Sequence, residues 1–449
     1  MLDVGRHPHI ELLAYSEVEA VEGSAGCFTA TIRKKARYVD SAKCTGCAAC
    51  TEVCPTIVAD RYNENHSTRK AIYSWFAQGI PSTHTIDTDH CRVFQGKKCG
   101  ACQKKCEAGA IDFEQRDQVI KLEVGAVIVA NGYQVFDPSR IPEYRYRDLP
   151  NVVTAMEFER FLSASGPTHG HVYRPSDLAV RNEIAALEKQ EARARRGLAR
   201  FEEKHGQSSE AFYQQQRSGG QPAEADLQQW LEKYEEYLPL KTRLDALQEQ
   251  AKTIRTAKKL AFIQCVGSRD LRFYPFCSGF CCMHSIKEAI IAHEHDNDTT
   301  SVIFGMDIRA VSKGFEEYKV RGGNKSNINY RRSRVAEIVS DANHNPVLVY
   351  EDTKEQRVKR ETFDLVILAT ACQPADGMAD LAGVLGIDLN QFGFFATSPE
   401  NPVDTSREGI FVCGCAHSPM DIPESVAQAS SAASRAVQAV TQANLLTVV

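Results

Sequence analysis

Twelve of the sixteen cysteines fall into three groups of four. The first group, in the stretch KCTGCAACTEVCP at residues 43–55, is Cys44, Cys47, Cys50 and Cys54. Its spacing, C-x2-C-x2-C-x3-C-P, is typical of bacterial ferredoxins, in which three thiolates hold one cubane cluster and the fourth binds a neighbouring cluster. Zinc is the alternative, but zinc sites usually pair two separate C-x2-C units. The spacing therefore predicts [4Fe–4S] binding.

The second group repeats the ferredoxin spacing in its last three cysteines, after a longer first gap. Its members are Cys91, Cys99, Cys102 and Cys106, and Glu107 stands where a proline is usual. Because the fourth cysteine of each group normally crosses over, we expect two ligand sets. The sets are Cys44, Cys47, Cys50 with Cys106, and Cys91, Cys99, Cys102 with Cys54.

The third group matches neither a ferredoxin nor a zinc pattern. Its members are Cys265, Cys277, Cys281 and Cys282. From spacing alone, a third cluster, a redox-active thiol pair and small buried apolar side chains all remain open. The preceding strand lacks the G-x-G-x-x-G that binds nicotinamide dinucleotides, so we do not expect this region to bind NAD.

The last four cysteines lie in or beside predicted strands. We expect them to be buried as small apolar residues. They are Cys27, Cys372, Cys413 and Cys415.

Composition describes an ordinary globular protein of 449 residues, 43% hydrophobic and 25% charged. The net charge of −5 gives no reason to expect a nucleic-acid partner. No apolar run is long enough for a membrane span, and residues 1–13 lack the features of a secretory signal. We therefore expect a cytoplasmic chain whose clustered thiols are reduced and bind metal.

Strands and helices alternate around the cysteine groups, which predicts an α/β fold. Residues 1–40 read as two strands joined by a turn, and 119–132 as a buried strand that ends in a small-residue turn. A β-α-β unit is predicted over 258–308. Further buried strands are predicted at 363–372 and at 409–416, where an Ala/Ser-rich helix follows.

Residues 178–255 differ from the rest. They are rich in charged residues and alanine, and two runs of apolar residues follow heptad spacing on either side of a polar stretch at 205–226. We predict a protruding helical coiled-coil hairpin. It is either a structural projection or a docking arm for a partner.

The order of several segments resembles the iron–sulfur flavoprotein of heterodisulfide reductase, its A subunit. The segments are DVGRHPHIELL, KCTGCAACTEVCP, RKAIYSWFAQGIP, GAVIVANGY, NVVTAMEFERFLSASGPT, FIQCVGSRD, CCMHSIKEA, MDIRAVSKGFEEY, LATACQP, PVDT and GIFVCGCAHSPMDIPESVAQAS.

The resemblance implies a thioredoxin-reductase-like two-domain nucleotide-binding fold with an inserted two-cluster ferredoxin module. The FAD domain would comprise 1–40, 113–150 and 376–449, interrupted by the ferredoxin module at 41–112. The second α/β domain would comprise 151–177 and 256–375, interrupted by the hairpin at 178–255. It would carry a third [4Fe–4S] cluster bound by Cys265, Cys277, Cys281 and Cys282.

The same resemblance implies residues that approach the flavin. Lys287, five residues after the Cys-Cys pair, would stabilise reduced flavin near N5. Other expected contacts are Gly132, Gly414, Asp421 and the start of the last helix at Pro423, Glu424 and Ser425, whose free N–H groups would hold the pyrimidine end. The family's strand–G-x-G-x-x-G–helix segment is missing, so we expect a separate chain to supply that half of the FAD site, or a truncated product.

The function implied is that of an electron-transfer subunit. Electrons would pass between FAD and a chain of clusters, with flavin-based bifurcation as one mode. Partners would be other heterodisulfide-reductase-like subunits, a hydrogenase or formate-dehydrogenase-type input subunit, and ferredoxin. The alternative is a flavin-free iron–sulfur adaptor that connects partner oxidoreductases.

Overall fold

The computed structural model of the chain describes residues 2–219, 224–254, 256–342 and 345–446, in which helices and strands alternate. The helices are α1 (Leu2–Arg6), α2 (Ala49–Val53), α3 (Ala101–Lys105), α4 (Ala155–Leu162), α5 (Pro175–His205), α6 (Ser209–Gly219), α7 (Ala225–Ala251), α8 (Cys281–His295), α9 (Phe315–Lys325), α10 (Met378–Leu385) and α11 (Ile422–Leu446). Short 3-10 helices span Arg61–Asn63, Pro138–Arg140, Pro142–Tyr144 and Gly414–Ala416.

The strands form seven small or medium sheets within the described residues. They are β1 (Ser16–Ser24), β2 (Cys27–Lys34), β3 (Ile57–Ala59), β4 (Thr68–Lys70), β5 (Ile72–Tyr73), β6 (Thr85–Ile86), β7 (Gln118–Val124), β8 (Val127–Val129), β9 (Tyr133–Val135), β10 (Val152–Thr154), β11 (Lys259–Val266), β12 (Thr300–Gly305), β13 (Ile328–Arg332), β14 (Val335–Ser340), β15 (Pro346–Asp352), β16 (Arg357–Thr362), β17 (Leu365–Thr370), β18 (Cys372–Pro374) and β19 (Ile410–Val412).

The largest sheet is parallel, with the order β10-β17-β11-β12-β13. Every residue of its inner strand β17 is buried, because α4 and α8 cover one face and the antiparallel meander β14-β15-β16 covers the other. Because both faces of β17 are covered, its sequence is a continuous apolar run and does not alternate between apolar and polar residues. The predicted β-α-β unit is β11-α8-β12, and its two strands pair in parallel. The prediction of an α/β fold is confirmed.

The segment 119–132 is not one buried strand, as predicted, but two. Its first half is β7, which pairs antiparallel with β2 and alternates in exposure. Its second half is β8, which pairs in parallel with β19. The chain changes sheets at Gly125, where a Cβ atom would lie 2.6 Å from Val440 of α11. The period-2 pattern of VIKLEV was the available signal for the break.

Strands β8, β9, β18 and β19 join the two halves of the α/β fold. Antiparallel pairing of β9 with β18 ties the turn after β8 to the end of the parallel sheet. Helix α11 follows β19 and lies over it, but most of the helix surface that is described remains exposed.

The segment between β2 and β7 holds the first eight cysteines and has a small core. That core consists of six apolar residues, Val39, Ala71, Ile72, Ile86, Ala110 and Ile111, together with the thiols. Side chains near the β3–β4 hairpin anchor this segment to α4. His66 Nε2 lies 2.9 Å from Glu157 Oε1, and Arg160 Nε donates to Asn63 Oδ1 at 3.0 Å.

Helices α5 and α7 pack against each other over residues 178–255, where the sequence predicts the hairpin. Their core is aromatic, with Trp230 fully buried and stacked on Phe201 and Phe212. The polar stretch predicted to separate the two helical runs contains helix α6, and its residues 220–223 lie outside the described residues.

Among the helices of the described ranges, none is both long and apolar enough to cross a lipid bilayer.

Candidate functional site

One of the two predicted ligand sets lines a single enclosed cavity. Cys54, Cys91, Cys99 and Cys102 border it, together with the apolar side chains of Ile72 and Ile86 among others. Burial raises the pKa of the Cys102 thiol to about 11, and the nearby thiols of Cys91 and Cys54 add to this. Residues far apart in the sequence are thus brought together as the crossover rule predicts.

The other predicted set lies next to the first. Cys44 is close enough to Cys50 to affect its pKa, which burial raises, and Cys106 packs in the same apolar cluster as both. Cys47 is exposed, and the Ala49 amide lowers its pKa.

The backbone of these loops is shaped by residues with positive φ. Ala48, at +63°, and Gly100, at +133°, immediately precede the short helices α2 and α3, which carry Cys50 and Cys102. Such turns let a chain wrap its thiols around a bulky group.

The described residues contain no group of three Cys, His, Asp or Glu side chains that converges closely enough to hold a single metal ion. A tetrahedral zinc site needs sulfur atoms about 2.3 Å from one point. Cys54, Cys91, Cys99 and Cys102 border one cavity, and four thiols are the donor set that a [4Fe–4S] cluster binds.

The third cysteine group also converges, although its first and last members are 17 positions apart in the sequence. Cys281 and Cys282 open helix α8 and are buried. Burial raises the pKa of Cys265, and Cys282 and Cys277 lie close enough to raise it further. Hydrogen bonding to Cys282 and burial likewise raise the pKa of Cys281. A shared cluster would relieve this crowding, because its irons bind thiolates.

The backbone at Cys265 is strained. Its φ is +61°, and Gly267 follows with a φ of +84°. A Cβ atom at Gly267 would lie 2.5 Å from the Phe136 ring, so only glycine fits. Non-glycine residues with positive φ tend to occur at functional sites. This turn aims the thiol of Cys265 towards the start of α8.

A charged pair flanks the same thiol. Arg269 Nη1 lies 4.0 Å from Cys265 Sγ, and Arg269 forms an ion pair with Asp307. The Asp307 carboxylate holds the guanidinium in place, and Arg309 contacts the same carboxylate at 3.7 Å.

The loop 277–282 packs against the segments expected to contact a flavin. The ring of Phe280 lies 5.5 Å from that of Tyr133, which follows Gly132. The Cys372 amide donates to Ser278 Oγ at 3.0 Å. On the third side, a Cβ atom at Gly279 would lie 3.6 Å from the Pro419 carbonyl. Turns after β8, β17 and β19 therefore surround the loop 277–282.

Gly132 and Gly414 both have positive φ, +76° and +67°. A Cβ atom at Gly132 would have no neighbour within 4 Å, so its surface is open. The Gly414 amide donates to Gln428 Oε1 at 2.8 Å, which ties this turn to α11.

Side chains at the start of α11 form hydrogen bonds with backbone amides there. The Glu424 amide donates to Asp421 Oδ1 at 2.8 Å, and the Asp421 amide donates to Glu424 Oε2 at 3.0 Å. The Ser425 amide donates to the Asp421 carbonyl, and Pro423 has no amide hydrogen. The amides of Glu424 and Ser425, expected to be free for a ligand, are therefore already bonded in this structure.

Known proteins resemble this chain in the first cysteine group and over nearly its whole length. Residues 37–56 match the 4Fe-4S binding domain family. A protein of Archaeoglobus profundus similar to the heterodisulfide reductase A subunit is 37% identical over 97% of this chain and 57% of its own length. A CoB–CoM heterodisulfide reductase iron-sulfur A subunit from Methanopyrus kandleri is 38% identical over 98% of this chain and 55% of its own.

Over almost its whole length the chain is similar to heterodisulfide reductase A subunits. It spans about half the length of the curated relatives it matches. The thioredoxin reductase of Lactococcus lactis is a solved structure with 20% identity and a TM-score of 0.29, covering 42% of this chain and 54% of the other.

The lysine that the family resemblance assigns to the flavin lies on a helix surface. Lys287 is on the exposed side of α8, whereas its neighbours Ile286 and Glu288 are buried.

Two site residues were not anticipated from the sequence, His417 and Gln428. His417 is held by Thr397 Oγ1 at 2.7 Å and lies 3.1 Å from Gln428 Nε2. Burial lowers the pKa of His417, which favours the neutral ring. With Gln428 it fixes the turn at Gly414. The sequence gives no signal of this role for His417, because its two hydrogen-bond partners lie 20 residues before it and 11 residues after it.

Proposed function

We propose that this chain is an electron-transfer subunit of a heterodisulfide-reductase-like complex, with three [4Fe–4S] clusters and a flavin. The observation that carries the proposal is the packing of the third cysteine loop against Tyr133, Cys372 and Pro419. These turns follow the strands of a nucleotide-type α/β fold, where ligands commonly bind. A cluster and a flavin in adjacent sites would exchange electrons over a short distance.

The chain's own residues define the proposed route. The two ferredoxin-type sets and the set of Cys265, Cys277, Cys281 and Cys282 would hold the clusters, and Gly132 and Gly414 would let the backbone approach the flavin. A bound flavin supplies two-electron chemistry, whereas each cluster carries single electrons. Lys287 remains part of the proposal as a positive charge near that site.

A second polypeptide segment is proposed to complete the flavin site. Ile128 of β8 is 41% exposed, and on α11 Ile422 and Val426 are 80% and 60% exposed. Exposed apolar side chains on this two-stranded sheet and at the start of the helix that follows it favour coverage by further structure. A glycine-rich pyrophosphate-binding segment outside residues 1–449 would supply it.

The partners proposed are those of the family. They are other heterodisulfide-reductase-like subunits, a hydrogenase or formate-dehydrogenase-type input subunit, and ferredoxin. Flavin-based bifurcation is the proposed mode of coupling where two acceptors are present.

A flavin-free adaptor is the second candidate. The bonded amides of Glu424 and Ser425 and the exposed position of Lys287 favour it. The two candidates share the clusters and differ only in the flavin.

The deciding experiment is anaerobic reconstitution with iron and sulfide, followed by FAD titration with and without copurified partner chains. We expect about 12 irons per chain, as three four-iron clusters require, and flavin retained in the presence of partners. Full iron content without flavin under every condition would favour the adaptor. Iron near zero would overturn both.

A sharper test uses the predicted crossover, in which Cys54 of the first group binds the same cluster as Cys91, Cys99 and Cys102. Cys54→Ser should remove the same paramagnetic signal as Cys99→Ser, because both thiols border one cavity. Cys413→Ser is the matched control and should leave about 12 irons. If Cys54→Ser instead reproduced the loss seen in Cys47→Ser, the ligand assignment would be wrong.

A further inference from the structure

Two of the eight cysteines in the segment between β2 and β7 are exposed, Cys47 and Cys99. The other six are buried or half-buried. The two exposed thiols belong to different predicted ligand sets, so each set has one ligand at the protein surface. A cluster bound by an exposed thiol lies where a partner protein can approach it. The segment therefore has two surfaces at which electrons can enter or leave.

The surface beside Cys99 is basic. Lys97 and Lys98 directly precede this cysteine, and Arg92 borders the same cavity as its thiol. All three cationic residues are exposed. Residues 89–99 carry these three positive charges and a single negative charge, that of Asp89. A partner that approaches Cys99 therefore meets a net positive charge.

The positive charges beside Cys99 are not neutralised within the chain. In the part of the chain that the structure describes, Arg92, Lys97 and Lys98 form no ion pair with a carboxylate. Lys97 Nζ donates at 3.3 Å to the side-chain oxygen of Gln95, which is neutral. Exposed charges of one sign that lack a partner attract molecules of the opposite charge. This surface is thus suited to an anionic partner.

Two further lysines lie on α3, which connects the two ligand sets. Lys104 and Lys105 are exposed, and they lie between Cys102 of one set and Cys106 of the other. They extend the basic surface without favouring either exposed thiol. The difference between the two surfaces therefore depends on the three cations beside Cys99.

The surface beside Cys47 has a different charge. The nearest cation before it in the sequence, Lys43, pairs with Asp40 at 3.4 Å and is therefore largely neutralised. Glu107 is exposed and directly follows Cys106, which belongs to the same predicted ligand set as Cys47. An anionic partner is therefore attracted less strongly to Cys47 than to the other exposed cysteine.

Apolar side chains adjoin the basic residues. Pro55 borders the same cavity as Cys99, and Ile57, two residues further on, is 61% exposed. Phe94, two residues after Arg92, is also exposed. Protein interfaces combine an apolar centre with a polar rim, and transient electron-transfer complexes bury only a small area. The surface beside Cys99 offers both kinds of side chain.

We propose that the surface formed by Arg92, Lys97 and Lys98 beside Cys99 docks an acidic protein that carries single electrons. This inference rests on the proposed function, because it requires a cluster bound by Cys99, and it adds the surface and the charge of the partner. A reduced carrier loses one electron to the chain and is oxidised, and the chain is reduced by that electron. No covalent bond forms or breaks, and no proton is transferred.

Charge and position together identify this class of partner. Complementary charges steer two proteins together and raise the rate at which they associate. Positive charge alone would also attract a nucleic acid. The exposed apolar side chains of Ile57 and Phe94 favour a protein, and the adjacent cluster ligand, Cys99, favours one that exchanges electrons.

The test is anaerobic stopped-flow kinetics with the iron-loaded full chain. The probe is an acidic flavodoxin in its hydroquinone form, because its one-electron oxidation produces a semiquinone whose absorbance is easily followed. The double variant Lys97→Glu with Lys98→Glu should slow this reaction on the order of tenfold at low ionic strength, since attraction becomes repulsion. The difference should shrink at high ionic strength, where salt screens exposed charges.

Lys43→Glu is the matched control, because Lys43 directly precedes Cys44 as Lys98 directly precedes Cys99. Its rate with flavodoxin should remain close to that of the unaltered chain. The methyl viologen radical is a cationic reductant, and its reaction should not slow in the double variant, since added negative charge attracts it. Iron content and the paramagnetic signals after dithionite should be retained. If the double variant loses iron, Lys97→Gln with Lys98→Gln replaces it and should give a smaller slowing with the same salt dependence.

Docking beside Cys99 is overturned if the iron-loaded variant reacts with flavodoxin at the unaltered rate at every ionic strength. It is equally overturned if Lys43→Glu slows the reaction as much, or if methyl viologen slows in parallel, because altered cluster chemistry would then be the cause. An unaltered flavodoxin rate with oligonucleotide binding that the double variant loses would assign the surface to a nucleic acid. An unaltered chain that holds no iron would contradict the proposed function itself, and this docking with it.

Discussion

At the scale of single residues, Arg269 has a clear electrostatic role to test. Its guanidinium is 4.0 Å from Cys265 Sγ, and Asp307 holds it there. A positive charge beside a ligand sulfur stabilises the reduced cluster, which carries one more negative charge than the oxidised cluster. Arg269→Gln should therefore lower the reduction potential of the proposed third cluster.

The expected shift is about 40 mV, because a long contact with a charged group contributes about 1 kcal/mol and 59 mV corresponds to a tenfold change for one electron. Redox titration followed by electron paramagnetic resonance measures it. Arg309→Gln is the control, since Arg309 shares Asp307 but has no described bond to Cys265. Equal shifts in both variants would contradict the role of Arg269.

The role of a single residue could be predicted only where the cysteine spacing matches a known motif. The partnership of Cys54 with Cys91, Cys99 and Cys102 follows from the ferredoxin pattern, and the structure brings these four together. The predicted burial of Cys27 was wrong, because this residue is exposed at the start of β2, and its spacing gave no signal of that.

At the scale of elements, the predictions succeeded where a strand is buried on both faces. Strands β17 and β11 were visible as continuous apolar runs. The meander β14-β15-β16 was not predicted, because its outer strands β14 and β16 are largely exposed and carry charged residues that obscure the alternation. The break at Gly125 was also missed, although the period-2 pattern of VIKLEV marks the strand that ends beside it.

The helical hairpin is the element most separable from the rest. Its ends meet, because the Ala257 amide donates to the Val172 carbonyl at 2.7 Å, and its aromatic core is its own. Paired helices lie about 8–10 Å apart, a span that a few residues bridge. Replacing residues 184–246 by a four-residue Gly/Ser linker should leave the iron content unchanged.

Leu178 and Ile254 are kept in this deletion, since both are buried at the base of the hairpin. Iron analysis and the cluster spectra provide the measurement. A deletion within the parallel sheet, removing β12, is the contrasting control and should abolish folding. Loss of iron after removal of the hairpin alone would show that the arm supports the cluster-binding domains.

At the scale of the whole molecule, the buried apolar side chains that stabilise the fold are distributed unevenly between its parts. The parallel sheet has two large apolar cores on its two faces, whereas the segment with the first eight cysteines has six buried apolar residues besides its thiols. Small domains with little core usually depend on metals or disulfides for stability. The clusters should therefore be the main source of stability for residues 41–112.

Anaerobic removal of iron by a chelator should unfold this segment and leave the parallel sheet folded. Amide hydrogen exchange measures both in one experiment. In the apo protein we expect protection to fall at least about tenfold around α2, α3 and the β5–β6 pair, because their metal-bound scaffold is lost. Protection in β11 and β17 should change little, since every residue of β17 is buried by apolar packing. Uniform loss across both regions would instead mean that the clusters hold the entire chain together.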